Sequence, residues 1–362
     1  MVDRDRGGKR LVTRNISIAG HPIGAGHPPS VIAELSGNHN GDITRALRLI
    51  DVAKEVGADA VKLQTYTADT ITIDYSGAGF VIEGGLWQGR KLYDLYKEAH
   101  TPWDWHPKLF AHAQKSGITC FSSPFDPSAV DLLERLGAPA YKIASFEIVD
   151  TPLIRYAAKT GKPVVISTGM AATEEIADAV AAVRAEAGDY ALLHCVSGYP
   201  TPAEEANLAR IPALAASYDA PIGLSDHTLG TEVALAAVAL GAAIIEKHVT
   251  LARADGGPDA AFSLEPHELA ALVKGARTTF AALGSADYGH AASERGNMVF
   301  RRSLYAVADI AAGEELTHAN VRSIRPGYGL APKYLPELLG RRATRAIARG
   351  TPMTMDLVER PF

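Results

Sequence analysis

Three ionisable residues interrupt a long apolar run near the end of the first 300 residues. The run reads AAIIEKHVTL over 242–251, with Glu246, Lys247 and His248 at its centre. Its apolar and β-branched residues predict a buried strand. Buried charge is costly unless it is paired, binds a metal or takes part in chemistry. The sequence therefore predicts that this strand contributes to a functional site.

Seven other apolar runs end in polar or ionisable side chains in the same manner. The polar residues at these ends are Glu34, Lys62, Gln64, Ser122, Ser123, Lys142, Ser145, Glu147, Ser167, Thr168, Ser197, Tyr199, Ser225, Asp226 and His227. The pairs that strand alternation places on one face are Lys62 with Gln64, Ser225 with His227, and Glu246 with His248. A single residue of this kind is readily explained as a satisfied core polar group. Eight strand ends with the same property indicate one shared site.

The residue types at these ends define the chemistry that the site can support. Lys62 and Lys142, with the hydroxyl groups around them, suit a ligand that carries a phosphate and a carboxylate. His227 and His248, on adjacent predicted strands, form a candidate site for a divalent metal. A Schiff base on Lys142 is the alternative mechanism. The candidate acid–base groups are Glu34, Glu147 and Glu246.

The elements that must position these residues alternate between strands and helices. Amphipathic stretches such as ITRALRLIDVAKEVGA and DPSAVDLLERLGA follow the apolar runs, and several end in a glycine typical of helix C-caps. Eight repeats predict a (β/α)8 TIM barrel, in which catalytic groups gather at the C-terminal ends of the strands. A doubly wound open sheet is disfavoured because no GxGxxG follows the first strand. The predicted strands are 31–36, 60–66, 118–123, 140–145, 163–168, 191–196, 221–226 and 243–249.

One connection in the predicted barrel is much longer than the others. About 50 residues separate the second strand from the third, and they contain all three tryptophans, Trp87, Trp103 and Trp105. A long loop at the C-terminal face of a barrel lies beside the active site and is often a lid. Packing of the insertion onto the barrel is the simpler explanation for most of these aromatic residues.

The tail of the chain differs from the rest in pattern and in charge. From residue 301 onward ten Lys or Arg face six Asp or Glu, a local charge of +4 in a chain with net charge −5. The first 300 residues therefore carry −9. A basic domain of this size buries little by itself, so we expect it to dock over an acidic barrel mouth. The predicted organisation is an N-terminal extension (1–30), a catalytic barrel (31–284), a linker (285–300) and a small C-terminal domain (301–362).

Composition excludes several classes of function. The net charge argues against a nucleic-acid binder, and no apolar run approaches the roughly 20 residues that a membrane span requires. The charged N-terminus lacks the apolar segment of a secretory signal. Cys120 and Cys195 stand in apolar strand-like segments, as expected for reduced, buried cysteines. We therefore expect a cytoplasmic protein that binds neither nucleic acid nor membrane.

The motifs at these strand ends resemble those of the sialic acid synthase family. The segments FSSPFDPSAVDLLERLGAPAYKIASFE, KPVVISTGM, GLSDHTLG and IIEKH carry the resemblance in the barrel. The tail segment ADIAAGEELTHANVRSIRPGYGL resembles the antifreeze-like (SAF) domain, a β-clip fold, which is the C-terminal domain of these enzymes. The resemblance covers essentially residues 30–362. It implies condensation of phosphoenolpyruvate with an amino sugar.

The resemblance also implies roles for individual residues. The residues implied to bind phosphoenolpyruvate are Lys62, Ser123, Lys142, Ser145, Ser167 and Ser225. Those implied to bind the sugar are Gln64, Ser197, Tyr199, Asp226 and Arg325, and the acidic groups are Glu34, Glu147 and Glu246. The implied metal ligands are His227 and His248, with Mn2+ as the expected ion and Mg2+ or Co2+ as alternatives. Arg325 is implied to enter the neighbouring subunit's barrel, in a homodimer with swapped C-terminal domains.

One branch of the family matches best. The insertion FVIEGGLWQGRKLYDLYKEAHTPWDWH and the segment KIASFE resemble the branch that acts on 2,4-diacetamido-2,4,6-trideoxy-altrose. The N-acetylneuraminate branch typically reads KIGSGE there and has Asn in place of Ser197. Phe146 and Gly198 also differ, and a 6-deoxy sugar favours a less polar pocket. The alternatives are N-acetylneuraminate or legionaminate synthesis, another metal-dependent barrel aldolase or isomerase, and a non-catalytic protein that binds through its tail.

Overall fold

The computed structural model describes residues 14–286 and 288–359. The chain forms two compact units, with the boundary between Gly284 and Ser285. The predicted barrel and the predicted small domain therefore fall into different units. The segment predicted as a linker begins the second unit, where Ala292–Phe300 form a 3-10 helix.

Eight parallel strands of the first unit close into a barrel, which confirms the predicted fold class. Each barrel strand pairs with the next one along the chain, and the last pairs with the first. A two-stranded antiparallel hairpin, β1 (Ile16–Ile18) and β2 (His21–Ile23), precedes them. The barrel strands are β3 (Ser30–Glu34), β4 (Ala60–Thr65), β5 (Thr119–Pro124), β6 (Tyr141–Ile143), β7 (Val164–Ser167), β8 (Tyr190–Cys195), β9 (Ile222–Asp226) and β10 (Ile244–His248).

Helices connect the strands, and the local sequence fixes where several of them begin and end. The Asp42 side chain accepts a hydrogen bond from the backbone N–H of Thr44, and Asp126 caps a later helix in the same way through Ala129. Gly117 ends another helix with a φ of 71°. No helix in residues 14–286 or 288–359 is long and apolar enough to span a membrane. The helices of this unit are α1 (Ile43–Glu55), α2 (Ala68–Ile71), α3 (Leu92–Ala99), α4 (His106–Ser116), α5 (Pro127–Arg135), α6 (Thr151–Ala158), α7 (Thr173–Arg184), α8 (Arg210–Ser217), α9 (Glu232–Ala239) and α10 (Pro266–Leu283).

The hairpin closes the N-terminal end of the barrel. Ile16, Ile18 and Ile23 are buried in one apolar cluster with inward-facing barrel residues such as Ile32 and Phe121. Each such buried side chain contributes roughly 2 kcal/mol to the free energy of unfolding. Because the hairpin fills this end, the opposite, C-terminal end is left for the polar residues.

The long insertion after β4 packs onto the barrel through two of its three tryptophans. Trp103 donates from Nε1 to the backbone oxygen of Tyr66 (3.1 Å). The ring of Trp105 packs edge-on against His39, with the ring centroids 5.4 Å apart, and contacts the barrel core. Packing therefore explains these two residues. Trp87, the third, contacts the polar end of the barrel.

The second unit has its own small core. Its strands β11 (Ser303–Ala306) and β12 (Val321–Ile324) are antiparallel, and a short helix, α11 (Leu335–Leu338), follows. Isolated backbone pairings link the remaining segments. The buried residues of this core are Leu304, Ala306, Ile310, Leu316, Val321, Leu338, Ala343, Ile347, Met353, Leu357 and Val358.

Candidate active site

Strand alternation brings three charged side chains together at the C-terminal end of the barrel. Lys62 Nζ lies 3.1 Å from Glu34 Oε2 and 2.9 Å from Glu246 Oε1, and all three side chains are buried. Gln64, on the same face as Lys62, donates from Nε2 to Glu34 Oε1 (2.9 Å). Burial would lower the pKa of Lys62, but the two carboxylates outweigh burial and raise it. Lys62 therefore stays charged.

Lys142 brings a second lysine amino group to the same carboxylate. Burial lowers the pKa of Lys142, and the Glu246 carboxylate opposes that shift. Lys142 Nζ lies 3.4 Å from Glu246 Oε1, and Ser225 Oγ donates to that oxygen (3.2 Å). Burial would raise the pKa of Glu246, but Lys142 and Lys62 hold it at about 2. Burial raises the pKa of Glu34 to about 7. An ionised carboxylate thus stands beside one that can carry a proton near neutral pH.

Three further polar atoms at the strand ends lack partners. Ser123 Oγ, Ser167 Oγ and Glu147 Oε2 are buried and have no hydrogen-bond partner within the described residues. Buried polar groups in native proteins almost always have a protein or water partner, so these atoms can bind a polar ligand or water. Burial raises the pKa of Glu147 to about 7, which makes it a second candidate proton carrier.

Two of the predicted serines, Ser145 and Ser197, form a hydrogen-bonded pair, and Gly169 leaves the space that this pair occupies. Ser145 follows β6 and Ser197 follows β8, and their Oγ atoms lie 2.8 Å apart. Gly169 packs against both with a φ of 48°, and a Cβ on it would lie 2.4 Å from Ser145 Cβ. Any side chain at Gly169 would therefore displace the pair.

The two predicted metal ligands are neighbours. The ring centroids of His227 and His248 lie 5.4 Å apart. His227 Nδ1 donates to the backbone oxygen of Val196 (3.0 Å), which leaves the lone pair on Nε2. His248 Nδ1 is buried without a hydrogen-bond partner within the described residues. Burial lowers the pKa of both rings, to about 4 for His227, so both are neutral at pH 7, as metal ligands must be.

The two histidines alone are an incomplete metal site. Across residues 14–286 and 288–359, no group of three or more His, Cys, Asp or Glu side chains is arranged to hold a metal. Water or substrate oxygens would have to complete the coordination, as in catalytic rather than structural sites. The neutral rings and the buried Nδ1 of His248 fit that requirement.

Aromatic rings surround the histidines. The Tyr199 ring lies 4.5 Å from that of His227 and 5.3 Å from that of Phe262. Phe262 lies 4.9 Å from His248, and Trp87 of the insertion lies 5.6 Å from Tyr199. We call Trp87, Tyr199 and Phe262 the aromatic wall. It gives one side of the site an apolar surface.

Asp226 lies in a buried ion pair with Lys247. Lys247 Nζ donates to Asp226 Oδ2 (2.6 Å), and the backbone N–H of Thr228 donates to Oδ1 (2.9 Å). Because Ser225 faces the lumen, alternation turns the Asp226 side chain to the outer face of the barrel. The contact between Asp226 and the sugar that the resemblance implies stays a prediction.

Two other predicted residues lie at exposed positions. Arg325 belongs to the second unit, where it is exposed immediately after β12. Phe146 follows Ser145 at the barrel mouth, and 59% of its surface is exposed. The role implied for Arg325 stays a prediction.

Asp259 is a site residue that the sequence does not single out. Its Oδ2 lies 3.8 Å from His248 Nδ1. Burial raises the pKa of Asp259 to about 6. It stands in the segment GGPDAAF, which has no strand pattern and in which Asp259 is the only polar side chain. Its position in the loop after the strand of His248 is the signal that could have identified it.

Comparison with known proteins assigns the class. Residues 49–288 match the model of the NeuB family, and residues 301–359 match that of the SAF domain. The chain belongs to the NeuB family.

Named relatives refine this assignment. The chain is 45% identical over 321 residues to a pseudaminic acid synthase of Campylobacter jejuni, covering 88% of this chain and 94% of that protein. It is 42% identical over 335 residues to a pseudaminic acid synthase of Helicobacter pylori, covering 92% and 98%. The crystal structure of the N-acetylneuraminic acid synthetase of Leptospira borgpetersenii in complex with citrate is similar, with a TM-score of 0.71 and 36% identity. That match covers 79% of this chain and 95% of the other.

Proposed function

We propose that the protein condenses phosphoenolpyruvate with 2,4-diacetamido-2,4,6-trideoxy-altrose, giving pseudaminic acid and phosphate. The observation that carries the proposal is the convergence of two buried ammonium groups, Lys62 and Lys142, with the unpartnered hydroxyls of Ser123 and Ser167. The two pseudaminic acid synthases named above support the choice of sugar.

The lysines and serines suit a small substrate with two anionic groups. An ammonium group has three donors, so Lys142, with its 3.4 Å contact to Glu246, keeps donors for a ligand. Ser123 and Ser167 offer hydroxyl donors. A phosphate and a carboxylate on one substrate would satisfy these groups together.

The reaction needs one carbon–carbon bond and one water. C3 of phosphoenolpyruvate attacks the aldehyde carbon of the open-chain sugar, and water adds at C2. The tetrahedral intermediate then expels phosphate with cleavage of its C–O bond. Our candidates for taking the proton from water and for protonating the new alkoxide are Glu34 and Glu147, whose pKa values burial raises to about 7.

A divalent ion, Mn2+ in our proposal, would be held by His227 and His248. When bound, it would supply Lewis acidity toward the sugar aldehyde. The protein residues do the remaining work: the lysines orient phosphoenolpyruvate, and Gln64 fixes Glu34. The aromatic wall excludes water from one side of the sugar.

The partner that completes the site is a second copy of the chain. The barrel mouth exposes apolar side chains after three different strands, Phe146, Met170 and Leu229. Such a rim is typical of an interaction surface. The second unit exposes Arg325 and Tyr328 together. We propose that this segment of one protomer covers the barrel mouth of its partner in a swapped homodimer, where Arg325 would meet the anionic substrate.

Mixing two inactive variants tests the swap. Arg325→Ala and Lys62→Ala should each be inactive as homodimers. Their mixture should recover about a quarter of the wild-type rate, because half of the dimers would be hybrids with one intact site. Sedimentation should show a dimer throughout. An active monomer, or a mixture without recovery, would contradict the swapped arrangement.

Phosphate release tests the proposed reaction. The enzyme is given phosphoenolpyruvate with the diacetamido altrose sugar, its manno-configured isomer or N-acetylmannosamine. We expect the fastest release with the first sugar. Fastest release with N-acetylmannosamine or with the manno isomer would move the protein to the N-acetylneuraminate or legionaminate branch. No release with any sugar would contradict the family activity.

The two cysteines support a reducing location for this reaction. Cys120 and Cys195 are free and buried. We therefore infer a cytoplasmic enzyme.

A further inference from the structure

We propose that Trp87 is a specificity-determining residue, which selects sugars that carry apolar substituents over hydroxylated ones. The inference rests on the proposed function. It assigns the selection to one indole ring of the insertion.

The position of Trp87 is unusual for its segment. Its neighbours in the chain are largely exposed, as with Leu86 at 47%, whereas Trp87 is half-buried. Its ring lies 5.6 Å from that of Tyr199, which in turn lies 4.5 Å from that of His227. Trp87 therefore packs against Tyr199, and Tyr199 packs against His227, so only the Tyr199 ring separates Trp87 from the histidine pair.

A hydrogen bond fixes the indole in this position. Trp87 Nε1 donates to the backbone oxygen of Pro258 (2.9 Å), the residue before Asp259. The Asp259 carboxylate is the group 3.8 Å from His248. Trp87 thus joins the insertion to the loop that carries this acid.

The backbone around Trp87 is also held in place. Ile82 and Arg90 are joined by a hydrogen bond from the Ile82 N–H to the Arg90 oxygen (2.9 Å), and Gly89 donates to the Ile82 oxygen (2.8 Å). The indole is therefore presented on a closed turn. A preorganised ring contributes more to selectivity than a mobile one, because less conformational entropy is lost on binding.

The aromatic wall has a definite chemical preference. Indole and phenol faces offer apolar contact to methyl and C–H groups. A 6-methyl group or an acetamido methyl would gain this contact. A hydroxyl in the same place would lose hydration without a new hydrogen bond. The wall therefore favours the deoxygenated, doubly acetylated sugar.

The other insertion tryptophans provide a matched control. Trp103 also donates its indole N–H to a backbone oxygen, that of Tyr66. Its hydrogen bond anchors the insertion to the end of β4 rather than to the loop of Asp259. A Trp103 variant therefore loses a hydrogen bond that holds the insertion on the barrel, but it keeps all three residues of the aromatic wall.

Competition between two sugars in one tube is the test. The diacetamido altrose sugar and N-acetylmannosamine are supplied at equal concentration, and the product ratio is read by mass. This ratio equals the ratio of the kcat/KM values and is independent of the fraction of enzyme that is folded. Trp87→Ala should shift the ratio toward the N-acetylmannosamine product by roughly 10- to 100-fold, the range for a lost apolar contact. Trp103→Ala should leave it within about threefold of wild type.

Two further outcomes separate the causes. Trp87→Phe keeps an aromatic face but loses the hydrogen bond to Pro258, so its product ratio should lie between those of wild type and Trp87→Ala. An unchanged ratio in Trp87→Ala, or an equal shift in Trp103→Ala, would overturn the assignment to Trp87. Failure of the wild-type enzyme to release phosphate with either sugar would instead contradict the proposed function.

Discussion

The two faces of β10 differ in how their buried ionisable side chains are satisfied. On the outer face, Lys247 Nζ donates to Asp226 Oδ2 (2.6 Å) and to the Thr228 backbone oxygen (2.5 Å). On the lumen face, Glu246 Oε2 and His248 Nδ1 are buried without a hydrogen-bond partner in the described part of the chain. Neighbouring residues in one strand thus differ in whether the protein alone satisfies them.

The difference separates structural charge from functional charge. A buried ion whose partners are all supplied by the fold depends on those partners, because removing one leaves an uncompensated buried charge. A buried ion with open positions leaves capacity for a ligand. The variants below test this division.

Metal removal should have the largest effect on turnover, because the proposed ligands of the ion lie on the lumen face of the barrel. Chelation with EDTA should reduce turnover to background, and Mn2+ should restore it, since the neutral rings of His227 and His248 are the proposed ligands. Phosphate release and elemental analysis measure this. Full activity in metal-free enzyme, with borohydride trapping on Lys142, would favour the Schiff-base mechanism.

Replacing a lumen lysine should remove activity and spare the fold. Lys142→Met should lower kcat/KM by about 100- to 1,000-fold, the typical effect of losing one charge-stabilising group. Glu246 keeps its 2.9 Å contact with Lys62, so the free energy of unfolding should fall by less than about 1 kcal/mol. Phosphate release and urea unfolding give the two values. A variant that is active but unstable would place Lys142 with the structural charges.

Breaking the ion pair between Lys247 and Asp226 on the outer face should lower stability and spare activity. Lys247→Met leaves the Asp226 carboxylate buried without its cation, so the free energy of unfolding should fall by about 3–5 kcal/mol. The folded fraction should retain most of its kcat/KM, because this pair faces away from the lumen. A stable, inactive Lys247→Met protein would remove the distinction between the two faces.

The smallest effect is a pH dependence of stability at the site. The pKa of Glu147 is raised from 4.5 to about 7, so the native state keeps a proton that the unfolded chain releases first. Its contribution to stability is full below pH 4.5 and is lost as the pH rises toward 7, with a ceiling of roughly 3 kcal/mol. Glu147→Gln should remove this loss. Parallel curves for wild type and variant between pH 4.5 and 7.5 would contradict it.

The barrel was predictable from the sequence because each strand is an apolar run that ends in polar residues. The lumen position of Glu246 and His248 followed from the period of two. The same period puts Ser225 and His227 on one face and therefore leaves the Asp226 side chain on the other. The sugar-binding role of Asp226 came from the motif resemblance and not from the period. Composition does not distinguish Lys247, which pairs with Asp226, from the ionisable residues on either side of it.

Features without a periodic signal escaped prediction. The strands of the N-terminal hairpin have three residues each, too few to show alternation. Asp259 lies in a segment of glycine, proline and alanine that has no strand or helix periodicity. The three tryptophans share one insertion, and only the folded chain distinguishes Trp87 at the aromatic wall from Trp103 and Trp105.

Oxygen-18 water tests the central claim most directly, because it follows the bond that breaks. The enzyme is incubated with phosphoenolpyruvate and the diacetamido altrose sugar in labelled water, and both products are analysed by mass. Water attack at C2 with C–O cleavage predicts phosphate without label and one labelled oxygen in the sugar acid. A control with unlabelled product measures exchange of its keto oxygen. Label in the phosphate would mean cleavage of the P–O bond and would contradict the proposed reaction.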